Sequence, residues 1–125
     1  MEDRYKRLPD SELEVMQVIW EMDPPAARAD IEAAMKEIHP IAQTTLLTLL
    51  TRLANKGFLS IEKRGRSSVY TPLVAREDYL ARQSRSFLDQ LCGGKVSVLA
   101  AALSDSGLSK EDLEELRVLL DQDRL

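Results

Sequence analysis

Apolar side chains recur along this chain in two rhythms. From Leu13 to Met22, through Val15, Met16, Ile19 and Trp20, and again from Arg28 to Ile38, through Ile31, Ala34, Met35 and Ile38, the spacing is that of one helical face turned inward. Asp10, or Ser11 with Glu14, is the candidate cap of the first helix; Pro24-Pro25 stop it, and His39-Pro40 close the second. Leu46, Leu49, Leu50 and Leu53 then stand at i, i+3, i+4 and i+7 in a third helix, which begins after Ile41 and ends at Gly57, a residue suited to a helix C-cap. Past Gly57 the period falls to two. Phe58, Leu59 and Ile61 lead to Lys63, Arg64-Gly65-Arg66 turn the chain, and Ser67, Val69, Tyr70 and Leu73 return with strand character. From Ala75 the pattern is helical again. Tyr79, Leu80, Phe87, Leu88 and Leu91 precede Gly93-Gly94, residues 96–103 are apolar almost all round, and Leu113, Leu116, Leu119 and Leu120 follow a capping-box pattern at Ser109 and Asp112.

These elements predict a mainly α protein with a small β-hairpin: an N-terminal winged helix-turn-helix, residues 1–74, followed by a three-helix C-terminal dimerisation region, residues 75–125. In a winged helix the third helix enters the major groove and the hairpin lies along the DNA backbone. Three helices in about fifty residues cannot enclose a sizeable core alone, so pairing with a second copy is expected. Its candidate contacts are Phe87, Leu88, Leu91, Val96, Leu99, Leu103, Leu113, Leu116 and Leu120, and the stretch Val96 to Leu103 should be covered on every side.

The face of the third helix opposite its leucines carries the first functional signal. Thr44, Thr48, Thr51, Arg52 and Asn55 lie there, flanked by Thr45 and Leu47. Threonine restricts χ1, and four of them cost about 2 kcal/mol of helix propensity relative to alanine. A hydroxyl and a methyl on a short stem suit phosphate oxygens, base edges and the thymine methyl, where acidic side chains would be repelled. A tolerated solvent-facing threonine face is the plain alternative. The candidate DNA-binding set is Thr44, Thr45, Leu47, Thr48, Thr51 and Arg52 on a recognition helix of about residues 43–56, with Lys56 at its end and Arg64 and Arg66 on a basic wing, residues 63–68.

Charge sharpens this picture. The net charge of −4 argues against a protein that coats nucleic acid indiscriminately, but residues 43–73 hold five Lys/Arg against one Asp/Glu, while residues 1–42 hold five against ten. A local basic surface on an acidic chain suits selective binding, because phosphate attraction acts within about 10 Å at moderate salt. No run is long enough to span a membrane, and MEDRYKRLPD has no apolar signal-peptide core, so no membrane insertion and a cytoplasmic location are expected. Cys92 has no partner for an internal disulfide or a metal pair and reads as a small buried apolar residue. His39, beside Pro40 at a helix end, reads as a surface or capping residue, and no phosphate loop or catalytic triad order stands out, so neither catalysis, metal nor cofactor is expected. The acidic run Glu111, Asp112, Glu114 and Glu115 complements the dipole at the start of the last helix.

The stretches LEVMQVIW, TTLLTLLTRLANKGFL, GRSSVYTPLV, SFLDQLCGGKVSVLAAAL and LSKEDLEELRVLL, in that order over nearly the whole chain, resemble the penicillinase repressor (BlaI/MecI type) transcriptional regulators. The resemblance implies a homodimeric repressor of a short palindromic operator with TACA/TGTA half-sites, and a membrane sensor with a zinc protease domain that triggers cleavage in the dimerisation region. Where staphylococcal members carry the cleaved Asn-Phe pair, alignment from Gly93-Gly94 puts Ala101-Ala102, which argues against cleavage as the release step. The tail LLDQDRL lacks the cysteine pairs of copper-responsive relatives, and Leu47 replaces a long basic residue found in some members. With Arg52, Lys56, Arg64 and Arg66 of two subunits all on phosphates, the logarithmic salt slope of binding would be about −7. The alternative is a winged-helix protein-interaction module without sequence-specific DNA binding, for which Arg64 and Arg66 would be dispensable.

Overall fold

The computed structural model describes residues 6–122. Its elements are α1 (Asp10–Trp20), β1 (Ala26–Ala27), α2 (Arg28–Ile38), α3 (Gln43–Asn55), β2 (Leu59–Arg64), β3 (Ser67–Pro72), α4 (Arg76–Leu91), α5 (Val96–Asp105) and α6 (Lys110–Asp121). Packing divides the chain into two units, Met1–Gln83 and Ser84–Leu125.

In the first unit the helical stripes meet as their periodicity requires. Val15, Met16 and Ile19 of α1, Ile31 and Met35 of α2, and Leu46, Leu49, Leu50 and Leu53 of α3 are all buried in one cluster. Ile38 departs from the inward position expected of it and is 63% exposed. It is the last residue of α2 and, with Val18, Met22 and Ala34, lines an open groove that Arg76, the first residue of α4, also borders. Neither Asp10 nor Ser11 caps α1. Pro9 is its N-cap without a side-chain bond, and its carbonyl accepts from the Leu13 N–H at 2.9 Å. The helix therefore starts one residue early, leaving Asp10 in the first turn, where its carboxylate suits the dipole. α1 also stops at Trp20, short of Met22, as the Glu21 and Met22 N–H groups reach back to Val18 and Ile19 in tighter bonds of 3.2 and 3.0 Å.

The end of α3 follows a Schellman pattern: the Phe58 N–H reaches the Leu53 carbonyl at 2.9 Å and the Gly57 N–H that of Ala54 at 3.0 Å. Gly57 makes this possible with φ of +85°, and Phe58 drops at once into the core. The expected hairpin has a third strand beside it. The sheet is antiparallel in the order β1-β3-β2, with Ala26 opposite Tyr70 and Ile61 opposite Tyr70 on the other side. Two alanines carry no period-two signal; only pairing with β3 makes them a strand.

Tyr79 ties the beginning of α4 to this unit. Its hydroxyl accepts from the Leu8 N–H at 2.8 Å, and its ring lies 5.7 Å from Phe58, edge-on, and 5.8 Å from Trp20. Trp20 in turn donates its indole N–H to the Val74 carbonyl at 2.9 Å.

In the second unit α4 ends at Gly93-Gly94, both at positive φ, with the Gly94 N–H on the Leu88 carbonyl at 2.8 Å. Cys92 is buried, as its expected apolar role requires. Ser109 caps α6 by accepting the Asp112 N–H at 3.0 Å, the serine half of the expected capping box. The expectation that Val96 to Leu103 is covered on every side fails within a single chain. No residue of α5 is buried, and Val96 is 67% exposed. One short helix beside two others cannot wrap an all-round apolar segment.

Candidate nucleic-acid interface

The buried leucines of α3 fix which of its residues remain outside. With Leu46, Leu49, Leu50 and Leu53 in the core, Thr44, Thr45, Thr48, Thr51 and Arg52 are exposed and Leu47 is half-buried. The face holds no acidic side chain. The Thr48 hydroxyl donates to the Thr44 carbonyl one turn back at 3.0 Å, which satisfies its proton and leaves the oxygen lone pairs and the methyl for a partner.

The wing follows β2 and returns along β3 through a two-residue turn that opens on Gly65, at φ of +63°. A Cβ at Gly65 would meet nothing within 4 Å, so its backbone conformation and not crowding calls for glycine. Lys63, Arg64 and Arg66 are all exposed there. Arg64 pairs with Glu62 at 3.3 Å, both side chains more than half exposed, a contact worth well under about 1 kcal/mol that water or phosphate can replace.

Lys56 stands apart from the other candidate anchors. Its ammonium is bonded to Glu12 Oε1 at 2.5 Å, and Glu12 is 2% exposed, the one buried charged side chain among the described residues. Glu12 was missed from the candidate site, although its position gives a signal: it precedes Val15, Met16 and Ile19 by three, four and seven residues and so shares their inward face. A carboxylate placed there needs a cation, and Lys56 reaches it.

Other titratable groups complete the picture. His39 caps the end of α2 at the surface and pairs with Glu14 at 2.9 Å. Burial raises the Tyr70 hydroxyl above the usual tyrosine range, against a smaller opposing pull from Arg28 and a hydrogen bond with Ser68. Among the described residues no three His, Cys, Asp or Glu side chains gather as a metal set, and no helix is long and apolar enough to cross a membrane.

Three helices, a strand between the first two, and a hairpin tipped with arginines beside an exposed polar third helix define a winged helix-turn-helix. The penicillinase repressor family model matches residues 8–122, and the chain belongs to that family. It is 34% identical to the penicillinase repressor of Bacillus licheniformis, over 95% of this chain and 93% of that one. It is 29% identical to the methicillin resistance regulatory protein MecI of Staphylococcus aureus strain N315, over 98% and 99%. Among solved structures it resembles the DNA-binding domain of the repressor BlaI, with a TM-score of 0.54 and 35% identity over 60% of this chain and 90% of that one. A second solution structure, of monomeric B. licheniformis BlaI in complex with the blaP half-operator, matches with a TM-score of 0.51 at 35% identity over the same shares.

Proposed function

We propose that this chain is a homodimeric transcriptional repressor that binds a palindromic operator. α3 enters the major groove with Thr44, Thr45, Leu47, Thr48, Thr51 and Arg52 toward bases and adjoining phosphates, and Arg64 and Arg66 of the wing hold the backbone. The observation that carries this reading is the combination, on one unit, of an exposed α3 face without acidic side chains and a wing of three exposed cations. That BlaI in its monomeric form was solved on a half-operator supports one winged helix per half-site. Lys56 is left out of the anchors, since its ammonium is already engaged by Glu12.

Leu91 at 72%, Val96 at 67% and Leu120 at 56% exposure are apolar side chains with little cover in the single chain, and Leu99, Leu103, Leu113 and Leu116 are only half-buried. Burying such surface against a second copy stabilises both, by about 25 cal/mol for each Å² of apolar area removed from water. Residues 75–125 thus form the dimerisation region, with Phe87 and Leu88 also in the contact, and twofold pairing puts two reading helices on two half-sites. The protein works in the cytoplasm and performs no chemistry of its own. Ala101-Ala102 lie exposed within α5, and release by a sensor protease cutting at that pair is not part of the proposal.

The test is selection of genomic fragments by the purified protein, with sedimentation of the free chain beside it. A recurrent palindrome and a dimer at micromolar concentration are the expected results. A strictly monomeric chain, or fragments without a common motif, would overturn the reading.

A further inference from the structure

The only buried carboxylate among the described residues holds a lysine at the junction between reading helix and wing. Glu12 sits in the first turn of α1; Lys56 is the C-cap of α3, immediately before Gly57 reverses the chain into β2. The Lys56 side chain is about one-third exposed, while that of Glu12 is 3% exposed. Lys56 cannot leave for a phosphate without stranding an unpaired charge in the core. Beside the pair lies a cavity of about 310 Å³ lined by Lys6, Arg7, Leu8, Pro9 and Lys56. Arg7 is partly offset by Asp10 at 3.4 Å. Without Glu12, the Lys56 charge would face that cavity unneutralised, placed to hold a phosphate with no means of reading sequence.

We propose that Glu12 is a positioning and specificity-determining residue for DNA reading: it withholds the Lys56 ammonium from phosphate and pins the C-terminal end of α3 against α1. This inference rests on the DNA-binding reading above. Reading bases depends on the angle at which the helix enters the groove, whereas unspecific attachment depends only on charge. Glu12 therefore favours the first over the second.

The experiment compares Glu12→Gln, Lys56→Gln and Lys56→Arg with the wild type on two duplexes, a fragment selected by the wild type and a scrambled duplex of equal length. Affinity is measured across a salt series, and the folded fraction by circular dichroism. For Glu12→Gln the ratio of specific to scrambled affinity should fall at least about tenfold, and the salt slope on scrambled DNA should steepen by up to about 0.9 per subunit. Lys56→Gln should lower the ratio and leave the slope on the selected fragment unchanged, and Lys56→Arg should restore the ratio. Loss of about 0.9 in slope per subunit in Lys56→Gln with the ratio intact would make Lys56 an ordinary phosphate anchor and overturn the inference. So would equal losses on both duplexes that merely track the unfolded fraction. Should Glu12→Gln fail to fold, the two Lys56 variants decide by the same criteria. A wild type that does not discriminate between the duplexes removes the DNA-binding reading and this inference with it; a discriminating wild type with unaffected variants removes only this inference.

Discussion

Replacing both wing arginines, Arg64→Gln and Arg66→Gln, isolates the electrostatic part of operator binding. With Lys56 engaged by Glu12, three residues per subunit remain for phosphate in the proposed set, Arg52, Arg64 and Arg66. Six contacts in a dimer at about 0.9 each give a slope of log K against log salt of about −5. The double variant keeps only Arg52, and the slope should relax to about −2. Between 50 and 200 mM salt the wild type then loses about 2,000-fold in affinity and the variant about tenfold. Breaking the Arg64–Glu62 pair on binding changes this little, because both side chains are largely exposed. Neither arginine packs in the core, so stability should move by less than about 0.5 kcal/mol, which separates lost contact from lost fold. Fluorescence anisotropy on a selected operator fragment over a salt series measures the slope. A slope unchanged from wild type would refute the placement of the wing on the DNA backbone and favour a protein-binding role.

Other residues give further expectations. Leu50→Ala removes a side chain that is 1% exposed beneath the reading face and should destabilise the first unit by about 2–5 kcal/mol in urea unfolding. Gly57→Ala forces a Cβ into φ of +85° and should cost about 1–2 kcal/mol in the same assay. Leu91→Asp with Val96→Asp should shift the chain to monomer in sedimentation while thermal unfolding of the winged helix is unchanged, since neither side chain is buried there. Tyr70 binds its proton more tightly folded than unfolded, so its contribution to stability is complete below about pH 10 and is lost as pH rises further. Tyr70→Phe should flatten that alkaline decline in denaturant midpoints.

Periodicity alone placed α2 and the body of α3, because Ile31 with Met35, and Leu46 with Leu49, Leu50 and Leu53, recur at the helical interval and have nowhere to go but inward. Local backbone chemistry was equally legible: Gly57 ends α3, Gly65 turns the wing, Gly93-Gly94 end α4 and Ser109 caps α6, each through an interaction within a few residues. The strand Ala26–Ala27 was not legible, since its definition lies in hydrogen bonds to residues more than forty positions away. Nor was the engagement of Lys56, whose partner is separated from it by 44 residues. Sequence spacing determines which side of an element is apolar, for that follows from the geometry of one helix or strand. Which charge meets which, and which apolar faces remain uncovered, was decided only when separate elements were brought together, because burial and ion pairing act through space and not along the chain.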